Sequence, residues 1–155
     1  MAKEDKIQFR LIGIKELAFR YNDPINTLGN IDLNKDTIEG KFNINYRWNI
    51  DQNLFAVVFD FAYLVGDQKS NKTECLNLSI MTEFLVEKLK QIFTVRSNSD
   101  FDIDERFETT LVSITISTAR GVLFEKSKGT LFSSFVMPII NPTEVILSKK
   151  LKDAK

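Results

Sequence analysis

The chain has 155 residues, 43% of them hydrophobic and 27% charged, with 21 basic and 21 acidic side chains and a formal net charge of zero. This length fits one domain around one core, and the balanced charge supplies no basic face for phosphate neutralisation, so nucleic acid is not an expected partner. The absence of histidine removes the commonest general base and the commonest metal ligand.

The first strand is expected over about residues 7–23. Ile7, Phe9, Leu11, Leu17, Phe19 and Tyr21 keep a period of two, which makes one face apolar. Gly13, between the out-of-step Ile12 and Ile14, predicts a bulge or bend. Asn22-Asp23-Pro24 ends the strand, and residues 25–36 read as a polar loop. A second strand over 37–50 alternates Ile38, Phe42, Ile44, Tyr46, Trp48 and Ile50 with polar residues, so one of its faces is wet. Asp51-Gln52-Asn53 is a tight turn, which returns the next strand antiparallel.

That third strand, LFAVVFDFAYLV over 54–65, is apolar on both faces and is expected at the centre of the sheet. Gly66 to Asn71 reads as a hairpin loop, and Leu76, Leu78, Ile80, Thr82, Phe84 and Val86 form a fourth strand over 73–86. Residues 97–105, SNSDFDIDE, read as a polar acidic link, and over 86–105 strand, short helix and loop all remain open.

From about Arg106 the period lengthens. Phe107, Leu111, Ile114, Thr118 and Gly121 are spaced for a helix, as are Val112, Ile116, Ala119 and Leu123. The β-branched SITIST run prefers a strand, but the periodicity continues through it, so a helix over about 106–127 is expected, with a stop at Gly129. Then comes LFSSFVMPIINPTEV at 131–145, an apolar stretch broken by Pro138 and Pro142 that fits neither period. Asn141-Pro142-Thr143-Glu144 opens a short last helix over about 142–152, with Asn at the N-cap and Pro at N1. Strands followed by helices indicate an α+β fold: a four-stranded antiparallel sheet, a long helix and a short C-terminal helix, in one domain over 1–155.

Chemistry is not expected. The lone cysteine, Cys75, excludes an intrachain disulfide and falls among apolar strand residues. Asp100, Asp102 and Asp104 begin like a calcium loop, but Glu105 stands where Gly is needed and Leu111 where Glu is needed. No phosphate-binding or nucleophile motif is present, so neither an enzyme, a metal nor a cofactor is expected. The charged MAKEDKIQFR start is unlike a signal peptide, no run of about 18 apolar residues spans a membrane, and a cytoplasmic location is expected. The sequons at Asn71 and Asn77 are accordingly read as chance. The 13 phenylalanines belong either to a core or to an open apolar surface.

The C-terminal third resembles the SecB export chaperones. The similar features are a helix ending ARGVLFEKSKG, a connector with Gly129, Thr130 and Phe132, and a segment with Pro138, Ile140 and Asn141 that opens the last helix. IQFRLIGIKELAFRY, FAVVFDFAYLV and TECLNLSIMTEFLV resemble the family's first, third and fourth strands, so the likeness runs from about residue 7 to 147. The resemblance implies an ATP-independent holdase that binds unfolded or pre-secretory polypeptides in apolar grooves. It implies a homotetramer, a dimer of dimers with the long helices packed between two sheets. It also implies that the connector walls a groove with Leu131, Phe132, Phe135, Val136 and Met137, joined by Phe42, Ile44 and Trp48 from the second strand. Such a surface suits clients without common sequence, because apolar burial is non-directional.

SecB proteins dock the translocase motor SecA through acidic residues on the sheet. Glu16 stands at one such position, but Arg20 and Asn77 stand at others and the tail SKKLKDAK is basic. SecA is thus a partner that the resemblance allows and these residues disfavour. Two other functions remain open: a dedicated interaction protein for one partner such as an antitoxin, and a small-ligand-binding α+β domain with a Phe-lined cavity.

Overall fold

The computed structural model describes residues 6–29, 37–66, 72–98 and 100–155. β1 (Phe9–Tyr21), β2 (Ile38–Asn49), β3 (Leu54–Val65) and β4 (Thr73–Val86) form one antiparallel sheet in the order β1-β4-β3-β2. The short helix α1 (Pro24–Leu28) follows β1. The short helix α2 (Leu89–Ile92) and a hairpin of β5 (Phe93–Val95) and β6 (Phe101–Ile103) lead into the long helix α3 (Glu105–Lys126), and α4 (Pro142–Asp153) comes last. This is the expected α+β architecture; α1 falls in an expected loop, β6 in the expected acidic link, and α2 and β5 in residues whose structure was open in the sequence.

Asp23 explains α1. Its side chain caps the helix by accepting from the Ile25 N–H at 2.9 Å, and Pro24 occupies the first turn. Part of the loop expected over 25–36 is therefore helical; residues 30–36, and 67–71 of the hairpin loop, lie outside the described residues. The acidic link is also corrected. Phe101 and Ile103 pair with Val95 and Phe93, and their side chains turn inward while Asp102 stays exposed. Three alternating residues are enough for this ribbon but too few to stand out as a strand in the sequence.

β1 carries two bulges rather than one, between Leu11 and Gly13 and between Glu16 and Ala18. Phe9, Leu11, Phe19 and Tyr21 lie opposite Val86, Phe84, Leu78 and Leu76, on the helix side of the sheet. Leu17 is skipped by the second bulge and stays exposed, so the expected apolar face is interrupted. β2 and β3 pair without interruption from Ile38–Val65 to Asn49–Leu54. Asn53 closes their turn with a φ of +55°, a left-handed conformation that Asn tolerates. Its side chain also accepts from the Leu89 N–H at 3.2 Å, tying α2 to the hairpin.

The core lies between the sheet and α3. Phe55, Val57, Phe59 and Phe61 of β3 and Leu78, Ile80, Thr82 and Phe84 of β4 are all essentially inaccessible. Each such large apolar side chain stabilises by roughly 1.5–3 kcal/mol. β3 also buries Ala56, Val58 and Ala62 on its other face, as expected for a central strand. Of the 13 phenylalanines only Phe42 and Phe124 are exposed, so the Phe-rich composition serves mainly the core.

The helical period prevails over β-branched propensity in α3 because its hydroxyls find partners. Thr110, Ser113, Thr115 and Thr118 each donate to the carbonyl four residues earlier, at 2.7–2.9 Å. Asp104 caps the first turn by accepting from the Phe107 N–H at 2.9 Å. The buried stripe is Phe107, Glu108, Leu111, Val112, Thr115, Ile116, Ala119 and Leu123; of the other expected positions Ile114 packs half-buried against the core, Thr118 is half-buried and Gly121 is exposed. Thr115 and Thr82 share a buried hydrogen bond of 2.6 Å between α3 and β4. Replacing either alone with Val is expected to cost about 1 kcal/mol, and replacing both should be nearly neutral. A double-mutant cycle by urea unfolding measures this.

Candidate functional site

The connector between α3 and α4 crosses the helix side of the sheet. Gly129, at φ +76°, follows the end of α3, as its expected role as a stop requires. Tight turns then fold the chain: the Ser133 N–H donates to Thr130 O at 3.2 Å and the Phe135 N–H to Phe132 O at 2.9 Å. Pro138 and Pro142 lack the N–H groups that a helix or strand would need. Asn141 caps α4 by accepting from the Thr143 N–H at 3.0 Å, and Val145 and Ile146 anchor that helix.

The irregular connector still has two faces. Phe132, Met137 and Ile140 are buried, whereas Val136 is 67% and Ile139 95% exposed. The Phe132 ring stacks on Tyr63 at 5.1 Å and meets Tyr21 edge-on at 6.1 Å. Phe135 stands edge-on to Tyr63 at 6.5 Å. Across the sheet, Gly40 lets the connector lie close: a Cβ there would stand 3.3 Å from the Phe61 ring and 3.7 Å from Pro138 Cγ.

The residues expected to line a groove therefore divide. Phe42 and Val136 are exposed, Leu131, Phe135 and Trp48 are half-buried, and Ile44, Phe132 and Met137 belong to the core of the single chain. Ile44 is covered because it shares the inner face of β2 with Phe42 and Tyr46, the strand on which α4 packs. Trp48 is covered by the β5–β6 hairpin, with Phe93 and Phe101 rings at 5.2 and 5.3 Å. Ile139 went unrecognised in the sequence, although its place immediately after Pro138 in an apolar run was a signal. Phe42, Val136 and Ile139 supply exposed apolar surface at the β2 side of the sheet and along the connector that reaches it.

A polar cluster sits nearby and was not legible beforehand. Glu108 is buried on α3, where it accepts from the Tyr46 hydroxyl at 2.7 Å and from Lys150 of α4 at 3.3 Å. Burial first, then the Glu108 charge, pushes the Tyr46 phenol far up. A cavity of about 500 Å³ opens beside these groups, and among the described residues Phe101 is the only phenylalanine at its wall. Tyr46→Phe is expected to destabilise by about 2 kcal/mol, because a buried carboxylate loses a donor; chemical unfolding measures the loss.

Burial also pushes the Tyr63 phenol up, to about 12. An unfolded tyrosine titrates near 10. The stability linked to neutral Tyr63 is thus complete below about pH 10 and is lost as pH rises towards 12. Thermal unfolding at stepped alkaline pH should show that loss, diminished in Tyr63→Phe.

Glu16 does not project from the solvent face of the sheet. It lies opposite Ile80 and pairs with Lys126 of α3 at 2.8 Å. Arg20 and Asn77 are side-by-side partners in the register, so no carboxylate marks that position. Among the described residues, no group of three or more potential ligands is placed to hold a metal ion, and no helix is long and apolar enough to cross a membrane.

No protein-family model and no curated protein matches the chain. Among solved structures, it is similar to the SecB-like chaperone Rv1957 of Mycobacterium tuberculosis, in complex with a ChAD peptide from the HigA1 antitoxin. The likeness covers 85% of this chain and 90% of that one, at 11% identity and a TM-score of 0.52. A protein of unknown function from Streptococcus agalactiae matches over 88% of this chain and 97% of that one, at 8% identity and a TM-score of 0.39. The chain has the SecB-like fold.

Proposed function

We propose that this chain is an ATP-independent holdase that binds unfolded or pre-secretory polypeptides, without catalysis, in the cytoplasm. The observation that carries the proposal is the exposed apolar surface of Phe42, Val136 and Ile139 on this fold. Solvent-exposed Ile and Val at 95% and 67% cost solubility and have no role in the core of the single chain. A partner's apolar side chains would bury them, with half-buried Leu131 and Phe135 extending the surface. Among the described residues β2 is an edge strand, and an extended chain can pair with such an edge.

The opposite edge supports self-association. β1 is also an edge strand, and Leu11, Ile12, Ile14 and Leu17 are exposed along it, with Phe124 exposed on α3. A long apolar edge is an aggregation hazard unless it is covered. A symmetric homotetramer, as a dimer of dimers with the long helices between two sheets, would cover it. SecA docking through Glu16 is not part of this proposal, because Glu16 is engaged with Lys126.

A second reading is favoured by a specific finding: the similar chaperone is in complex with a peptide from an antitoxin. On that reading the same surface holds one dedicated partner. Binding of several extended apolar peptides of unrelated sequence, followed by fluorescence anisotropy, tests the proposal. The holdase reading expects most to bind; binding of a single sequence class supports the dedicated partner; binding of none contradicts both.

A further inference from the structure

Tyr63 lies on the inner face of β3, opposite Gly40 of β2 and Leu76 of β4, and is 3% exposed. Its ring touches Phe61 of the sheet, edge-on at 5.0 Å, and is covered by Phe132 and Phe135 of the connector. Among the described residues its hydroxyl has no hydrogen-bond partner. Buried polar side chains are ordinarily paired, and an unpaired one costs stability. The buried hydroxyls of α3, its cap and the facing strand are paired: Thr82 and Thr115 bond each other, and Ser127 donates to the Phe124 carbonyl at 3.3 Å. Tyr63 is the exception, and it stands directly beneath the segment whose outer face is the candidate binding surface.

The cover over it is irregular and is held chiefly by apolar contacts. Residues 135–141 have no regular secondary structure. Among the described residues, the polar ties of residues 131–140 to the sheet and to α3 are the Leu131 N–H donating to Tyr21 Oη at 3.4 Å and Arg120 donating to Pro138 O at 3.3 Å. Its remaining hold is apolar, through Phe132, Met137 and Ile140. Gly40, directly across from Tyr63 on the edge strand, leaves room for the Phe61 ring and Pro138 to lie over the strand there.

We propose that Tyr63 is a polar anchor of the polypeptide-binding site: when the connector lifts Phe132 off its ring, the Tyr63 hydroxyl donates to a backbone carbonyl of the bound chain. The inference rests on the polypeptide-binding reading above. Every residue of any client carries a carbonyl, so one hydroxyl adds a directional bond without selecting a sequence. The same movement turns Phe132 and Met137 from core into groove surface, and a bound chain replaces the apolar cover they gave up. The bond forms in a site shielded from water, where a hydrogen bond is stronger.

The test uses the full chain and a fluorescently labelled, reduced and carboxymethylated α-lactalbumin as the unfolded probe. Anisotropy titrations and thermal melts are run on the wild type and on Tyr63→Phe. Tyr63→Phe is expected to melt at or above the wild-type temperature, because an unpaired hydroxyl is removed, and to bind the probe about two- to tenfold more weakly, the net worth of one hydrogen bond. A purely structural role would not separate affinity from stability in this way. Equal affinity would overturn the anchor and leave polypeptide binding intact. A clearly lower melting temperature would also overturn it, because the hydroxyl would then be satisfied in the free protein. A wild type that binds no probe would overturn the binding reading and the anchor with it.

Discussion

Phe132→Ala is expected to lower the unfolding free energy by about 3–5 kcal/mol, the usual cost of emptying a buried phenylalanine site. The side chain is fully inaccessible and contacts the Tyr63, Tyr21 and Phe135 rings. Neighbours cannot easily close the space. Tyr63 is fixed in the central strand, and Tyr21 in β1 is tied to the Leu131 N–H. Since small domains are stable by only about 5–15 kcal/mol, this one change removes a large share of the margin. Urea unfolding of the wild type and variant measures it. A loss below about 1 kcal/mol would mean that the connector is not held on the sheet by this ring.

The outward face of the same segment should behave in the opposite way. Val136→Ser combined with Ile139→Ser is expected to change stability by no more than about 0.5 kcal/mol per site, because neither side chain packs in the core of the single chain. The same pair is expected to weaken capture of an unfolded polypeptide by about tenfold or more, because two branched apolar side chains no longer offer area to bury. Anisotropy with a labelled unfolded client, alongside a thermal melt, separates the two effects. Unchanged capture would remove this surface from the site. A large fall in melting temperature would instead place Val136 and Ile139 in an interface between copies of the chain.

The contrast between Phe132 and Val136 marks the limit of what the sequence told. Both are apolar, both lie in one proline-broken run, and irregular backbone has no period from which a facing direction can be read. The regular elements were legible for the complementary reason. Strict alternation along β2 located its two faces, the doubly apolar run of β3 its central place, and Asn141-Pro142 marked the start of α4 because cap chemistry is local. The SITIST run was harder, since propensity and period pointed in different directions. The period held because Ser113, Thr115 and Thr118 satisfy their hydroxyls within the helix. The β5–β6 hairpin did not stand out because its strands have three residues each, with Phe101 and Ile103 set among aspartates. That omission left Trp48 assigned to an open groove, although the hairpin covers it.

The polar features were the least visible. Glu108 reads in the sequence as an ordinary charged residue near a helix start. It is buried because Tyr46 and Lys150 meet it from β2 and α4, 62 and 42 residues away. Tyr63 reads as one more aromatic on an apolar strand. Its unpaired hydroxyl follows only from where the connector lies. Long-range partners of single polar groups leave no periodic trace, whereas faces of strands and helices do.

The most direct test of the holdase account is light scattering from a chemically unfolded, aggregation-prone client diluted into buffer. This protein is titrated in without nucleotide, and the measurement is repeated with a second, unrelated client. The account predicts that scattering from both clients is suppressed once the protein approaches the client concentration. Undiminished aggregation of both clients at an excess of this protein would contradict it.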